Sequence, residues 1–316
     1  MLKTIDKLVL DAFVGDWVVF QEQMLTTNVG SEIRFLVDGS KNLIIDWPNC
    51  IKSSDSQQTI AIKIDNQEFK TVSLTEEEIE YPLPDDSLHK IRIVVQSNIE
   101  DANYWLGDQD FRLNKIYVND GQLIVEKNNL ENIYFIGDSI TSGSKMQTEN
   151  LFSENNHAES SYAIQVADHF NLNNIRVSYN GTGITNKAYI YPPTAFDFIW
   201  KLKNDLKRPN QRNAKAIVIN IGTNDARATE QEFKWSLRVF LTEITKRFHQ
   251  IPIYLMIPLN QQFADIFRLV VSDFDNIKLI ETKDIKITFA DQLHPDQNGH
   301  NRIAEYLIEY FEQEFN

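Results

Sequence analysis

The sequence predicts a β-sandwich domain followed by an α/β domain built on a parallel sheet. Three observations lead there. Residues 1 to about 128 carry short apolar stretches with a period near two and no convincing helical run between them. From about residue 131 near-continuous apolar strands alternate with longer stretches whose apolar positions recur at helical spacing. No internal repeat, low-complexity segment or long linker interrupts the 316 residues, and the length fits two ordinary domains or one large one, the change of period favouring two.

In the first half, SEIRFLVDGSKNLIIDW (31–47) sets apolar residues on either side of Asp38-Gly39, the sign of a hairpin-like reversal. QTIAIKID (58–65), KIRIVVQ (90–96) and KIYVNDGQLIVE (115–126) repeat the alternation. Short alternating strands in series predict an antiparallel sandwich or jelly roll over residues 1–128. The boundary falls in VEKNNLEN (125–132), and residues 129–316 form the second domain.

That second half offers the strands NIYFIG (132–137), NIRVSYNG (174–181), AKAIVINIG (214–222) and IPIYLMIP (251–258). Helices are predicted over SYAIQVADHF (161–170), EQEFKWSLRVFLTEITKRF (230–248) and NGHNRIAEYLIEYFEQEF (298–315).

Composition narrows the function classes. At 42% hydrophobic and 24% charged the chain is globular. Its 31 basic against 45 acidic residues leave a formal charge of −14, which repels phosphate backbones and anionic bilayers; nucleic acid and membrane are not expected partners. The single cysteine, Cys50, excludes an intrachain disulfide and reads as a small packing side chain, with no histidine close to it in sequence. The amino-terminal MLKTIDKLVLDAF lacks an apolar core of signal-peptide length, and no stretch approaches the ~18 apolar residues of a membrane helix. A cytoplasmic protein is expected.

Ligands of open parallel sheets bind beyond the carboxyl ends of the strands, so the residues following each strand matter most. The first strand is followed by Gly137-Asp138-Ser139, the second by NGTGITN (180–186), the third by GTNDA (222–226), and ADQLHPDQNGH (290–300) stands near the carboxyl terminus. Singly, each has a plain reading. The glycines serve turns, Asn224 and Asp225 cap a helix, and His294 sits on the surface at a helix entrance. A third glycine at dinucleotide-fingerprint spacing is missing. Jointly they read as acyl transfer. A serine hydroxyl needs a base, a task for histidine, and the imidazole needs a carboxylate to hold its tautomer. Ser139 is the nucleophile, His294 the base, and Asp291, three residues before it, the orienting carboxylate. The N–H groups of Ser139 and Gly183 and the amide of Asn224 would supply an oxyanion hole. His294, His300, Asp291 and Asp296 bring metal-ligating side chains close in sequence, but the histidines are six apart rather than one helical turn, so no metal is expected.

These residues resemble the SGNH (GDSL) hydrolase superfamily. GDSITSG (137–143) matches its first block, NGTGITN its second, GTND (222–225) its third and DQLHP (291–295) its fifth. The resemblance aligns the second-block glycine with Gly183, Gly181 being the competitor, and treats Asp138 and Asp225 as loop supports. It covers residues 131–316 and implies a flavodoxin-like three-layer α/β/α fold with no cofactor. A sandwich before such a domain is similar to carbohydrate esterase family two, the acetylxylan esterase type. The resemblance therefore implies hydrolysis of short acyl, foremost acetyl, esters of a carbohydrate. A thioesterase or general short-chain esterase is the alternative, and a carbohydrate-binding protein with a vestigial hydrolase half a further one.

KAYIYPPTAFDFIW (187–200) is unusually aromatic. Tyr189 and Tyr191 are expected to be exposed beside the serine as substrate contacts, while Phe196, Phe198 and Trp200 are expected in the core. Trp105 either packs at the domain interface or faces a ligand, and as the latter is a further candidate substrate contact.

Overall fold

The computed structural model describes residues 2–48, 57–98, 105–107, 109–147, 156–209 and 213–315; Cys50 lies outside them. The chain divides into two units, Met1–Asn129 with Leu151–Glu159, and Leu130–Asn150 with Ser160–Asn316.

The first unit is built almost wholly of strands. They are β1 (Thr4–Ile5), β2 (Phe13–Val14), β3 (Val18–Phe20), β4 (Gln23–Thr26), β5 (Glu32–Asp38), β6 (Asn42–Asp46) and β7 (Thr59–Ile64), then β8 (Lys70–Ser73), β9 (Glu78–Pro82), β10 (His89–Ser97), β11 (Phe111–Leu113), β12 (Lys115–Tyr117) and β13 (Gln122–Ile124). One antiparallel sheet runs β13-β5-β10-β7-β8 with β2 also on β5, a second β1-β12-β6-β9, and a small third β11-β4-β3. Alternate residues of β5 (Ile33, Phe35, Val37), β10 (Ile91, Ile93, Val95) and β6 (Leu43, Ile45) enter one core with Trp47 and Phe111. That shared core produces the period of two in the sequence.

The hairpin expected at Asp38-Gly39 does not form. β5 and β6 belong to different sheets, and the Asp-Gly corner carries the chain from one to the other. Asp120-Gly121 makes the reverse crossing between β12 and β13. Gly39 and Gly121 both have positive φ (74° and 67°), and a Cβ on Gly121 would lie 2.0 Å from the Asp38 carbonyl oxygen. The two corners pack back to back with no room for a side chain. Alternation reports which face is buried, and an Asp-Gly turn serves a sheet-to-sheet corner as well as a hairpin.

Two further features of this unit matter below. His89, at the start of β10, sits between two carboxylates, with Nδ1 2.8 Å from Asp65 Oδ2 and Nε2 3.2 Å from Asp85 Oδ1. The segment ending at Glu159 also belongs here. Ala158 is fully buried in the core, Asn156 Nδ2 donates to Ser97 Oγ (3.0 Å), and Gln96 Nε2 donates to Glu159 Oε1 (3.0 Å).

The second unit holds β14 (Asn132–Gly137), β15 (Asn173–Ser178), β18 (Ala214–Asn220), β19 (Ile253–Met256) and β20 (Ile277–Ile280), all parallel, in the order β15-β14-β18-β19-β20. Counted along the chain this order is 2-1-3-4-5, the flavodoxin-like arrangement with its switch point at the first strand. β16 (Lys201–Lys203) and β17 (Leu206–Lys207) form a separate two-stranded ribbon. The helices are α1 (Ser139–Ser142), α2 (Tyr162–His169), α3 (Ala195–Phe198), α4 (Glu230–Arg247), α5 (Ala264–Val271) and α6 (Gln297–Glu314). One face of the sheet, including Ile133 and Phe135, packs on Tyr162 and Val166 of α2 and Leu307 and Phe311 of α6. Tyr134 points the other way and meets Phe248, at the end of α4, edge-on at 5.0 Å. Thr229 and Glu232 form a capping box that starts α4.

The register positions the site. Gly137 pairs with Ser178 on one side and Asn220 on the other, so three strands end level and their loops open on one edge.

Candidate active site

Ser139 is the first residue of α1, immediately beyond β14. Asp138 caps that short helix, its Oδ1 accepting the Ile140 N–H at 3.0 Å. The turn therefore sets the serine hydroxyl at the strand's end with its own N–H unspent: among the described residues no acceptor takes it. Asp138 is fully buried, and burial, reinforced by the nearby Asp225, pushes its carboxyl up to about 7.

The serine hydroxyl lies 2.9 Å from His294 Nε2, across 155 residues of chain. His294 is held by its own loop. Phe289 bridges Pro295, Ala290 N–H donates to the His294 carbonyl (2.9 Å), and Asp296 caps α6 by accepting the Gly299 N–H (2.7 Å). Asp291 Oδ2 stands 2.8 Å from His294 Nδ1, while its Oδ1 accepts the N–H groups of Leu293 (2.7 Å) and His294 (2.6 Å). Burial alone would raise the Asp291 carboxyl; these donors outweigh it and hold the group below the usual carboxylate range. An ionised Asp291 keeps the imidazole proton on Nδ1, leaving Nε2 free to accept from the serine.

His300, the other histidine of this stretch, is fully buried on α6. Its Nδ1 accepts the Tyr162 N–H (3.2 Å) and its ring stacks on Tyr162, and burial pushes it down to about 3. Among the described residues no group of three His, Cys, Asp or Glu side chains is placed to hold a metal ion.

The second and third loops are tied together by Asp225. Its Oδ1 accepts the Thr185 N–H (2.8 Å) and hydroxyl (2.6 Å), and its Oδ2 the Ile184 N–H (2.9 Å). This carboxylate lies against Gly183, where a Cβ would meet Oδ2 at 2.4 Å. Among the described residues the Gly183 N–H has no acceptor. Asn224 Nδ2 donates to the Thr182 carbonyl (2.9 Å) and makes only a long contact with Asp138 Oδ2 (3.4 Å), so one of its two N–H groups is barely engaged. Gly181 has φ +70° and carries the Ile190 N–H on its carbonyl (2.8 Å).

The aromatic insertion folds back over this region. A Cβ on Gly181 would meet Ile190 Cγ1 at 2.7 Å and Tyr189 Cδ1 at 3.3 Å. Buried Arg208 donates to the Tyr179 hydroxyl and the Phe198 carbonyl, both at 2.8 Å, anchoring the insertion to the turn after β15. Tyr189 (71% exposed) and Tyr191 (55%) face solvent, and Phe198 is buried against Tyr179. Phe196 and Trp200 depart from the expected core placement, and both are exposed: the short helix α3 buries only the face with Ala195 and Phe198, and Trp200, beyond the helix, has the Arg247 guanidinium 5.0 Å over its ring. Trp105 belongs to the first unit and is buried, which leaves little ring surface for a ligand. Reasoning from the sequence missed Arg227, whose guanidinium lies 5.8 Å over the Tyr189 ring. Its signal was a lone cation three residues past Asn224 in a strongly acidic chain.

The family model for GDSL-like lipase/acylhydrolase matches residues 133–307. No curated protein sequence matches the chain. Among solved structures, the chain is similar to a family two carbohydrate esterase from Cellvibrio japonicus (16% identity, 98% of this chain and 97% of that chain, TM-score 0.80). It is also similar to a family two carbohydrate esterase from Clostridium thermocellum in complex with cellohexaose (18%, 96% and 98%, TM-score 0.78). A third is the acetyl xylan esterase Est2A from the rumen bacterium Butyrivibrio proteoclasticus (16%, 100% and 99%, TM-score 0.77). At such identities the likeness is one of fold.

Proposed function

From the premise that this chain belongs to the GDSL-like lipase/acylhydrolase family and hydrolyses esters, we propose that it is a serine esterase removing short acyl groups, acetyl foremost, from a carbohydrate. The observation that carries this reading is the unbroken relay from Asp291 through His294 to Ser139, at 2.8 and 2.9 Å.

The mechanism follows from those contacts. Ser139 Oγ attacks the acyl carbonyl as its proton passes to His294 Nε2, and the imidazolium is stabilised by the Asp291 carboxylate. The carbonyl oxygen gains charge and is received by the N–H groups of Ser139 and Gly183 and by the Asn224 amide. Collapse of the tetrahedral intermediate expels the alcohol, which takes the proton from His294 and leaves the acyl group on Ser139. Water repeats the sequence in the second half-reaction, and the carboxylic acid departs. Every proton moves between groups of this chain and the reactants.

Carbohydrate enters the proposal on two supports. The family two carbohydrate esterases share the fold over nearly the whole chain, and one of them was solved with cellohexaose. Tyr189 and Tyr191 offer exposed ring faces on the insertion packed over Gly181, suited to sugar rings or a short acyl chain. A general short-chain esterase or thioesterase uses the same relay, so the substrate panel decides between them. Acetylated saccharides, nitrophenyl acyl esters of increasing length and acyl thioesters should be compared on purified protein. Acetylated saccharides are expected to react fastest, and Ser139→Ala is expected to lose hydrolysis of all of them while retaining saccharide binding. Turnover persisting in Ser139→Ala removes the nucleophile assignment; long-chain esters outrunning acetyl esters remove the acetyl assignment.

A further inference from the structure

We propose that Arg227 and Tyr189 recognise the alcohol released by the reaction proposed above, and that this alcohol is a sugar acid bearing a carboxylate beside its esterified hydroxyl. The inference rests on the esterase reading and adds a substrate class to it.

Arg227 is exposed and makes neither a hydrogen bond nor an ion pair with any described residue; it only lies over the Tyr189 ring. Every other arginine among the described residues is engaged. Arg34 and Arg92 meet Glu32, Arg112 meets Asp110, Arg238 meets Asp273, Arg268 meets Glu281 and Arg302 meets Glu305. Arg176, Arg208 and Arg247 donate to carbonyl oxygens. Among the described residues, a guanidinium with neither a carboxylate nor a carbonyl to donate to is the exception.

Its position gives the exception meaning. Arg227 follows Asn224 by three residues on the loop beyond β18, and Tyr189 packs against Gly181, two residues before Gly183. The pair thus links the two loops that carry the oxyanion donors. A guanidinium presents a planar fork of donors that matches a carboxylate in bidentate fashion, and a tyrosine offers an amphipathic face to a sugar ring. The formal charge of −14 does not oppose this. Charges beyond ~8–10 Å are screened at physiological salt, so the nearest cation governs a small anion.

The test is kcat/KM of the full chain on a pair of methyl glycosides acetylated at the same hydroxyl, one a hexuronate and one the neutral hexose. The wild-type protein is expected to favour the hexuronate roughly tenfold or more, the usual worth of a hydrogen bond to a charged group. Arg227→Gln should bring that ratio to about one, and Arg227→Lys should restore part of it. Should Arg227→Gln fail to fold, the wild-type ratio must still fall as sodium chloride is raised. A wild-type ratio at or below one, a ratio unchanged in Arg227→Gln, or a preference seen only when the carboxylate is on the acyl chain overturns the proposal while leaving the esterase reading intact. Absence of hydrolysis with every acetyl ester removes that reading and this one together.

Discussion

A methyl group at Gly183 would run into the Asp225 carboxylate, which three donors hold in place and which therefore yields only at a cost. Gly183→Ala is expected to displace the second loop, lowering kcat by ~100-fold or more through the misplaced N–H. It should also destabilise the fold by about 1–3 kcal/mol, the usual cost of overpacking. Steady-state kinetics and thermal unfolding measure both, and a variant with ordinary kcat would show that this N–H does not face the reacting oxygen. Asn224→Ala is expected to reduce kcat ~100–1000-fold with little change in KM, because the donor acts on charge that develops only in the transition state. An equal change in KM alone would place Asn224 in ground-state binding instead. Asn224 was legible because it pairs a chemically apt side chain with a strand end, and Gly183 because it follows a strand in a glycine-containing loop. Arg227 was not, since a lone exposed cation acquires meaning only when its missing partner can be seen.

His89 joins the β7–β8 turn, through Asp65, to the loop before β10, through Asp85. The Asp65 hydrogen bond, opposed by burial and aided by the charges of Asp65 and Asp85, raises its pKa above the ordinary 6.5. A raised folded-state value means the clasp's stabilisation is complete below 6.5 and is lost as pH rises through the folded value. Thermal stability of the full chain should therefore fall as pH rises above 6.5, and His89→Gln should flatten that slope; an equal slope in the variant would refute the clasp. The long elements could be read because their periods are sustained: the 18 residues of α4 and of α6 show a clear apolar face. The expected strands at 132–137 and 214–222 emerge as β14 and β18 with ends shifted by at most two residues. β20 and α5, at four and eight residues, are too short for either period to stand out. The Asp-Gly corners misled because local turn chemistry carries no information about which sheet the next strand joins.

At the scale of the whole chain, the apolar patterning announced two architectures in series, and the structure contains both. The chain leaves the first unit at residue 130, yet residues 156–159 belong to that unit again before the second resumes at Ser160. A fragment beginning at residue 130 would leave Ala158, buried in the first unit's core, and Glu159, hydrogen-bonded to Gln96, without their seats. Such a fragment is expected to unfold at a lower temperature than the full chain, and equal melting temperatures would contradict it. None of the described helices is long and apolar enough to cross a membrane. The stitch at Ala158 also bears on how such a protein can be rearranged by recombination. A catalytic half joined by a single linker can be cut out and fused elsewhere. Here a crossover at the sandwich's end would carry away a peptide bred to a different host, so sandwich and hydrolase are expected to be inherited as one cassette.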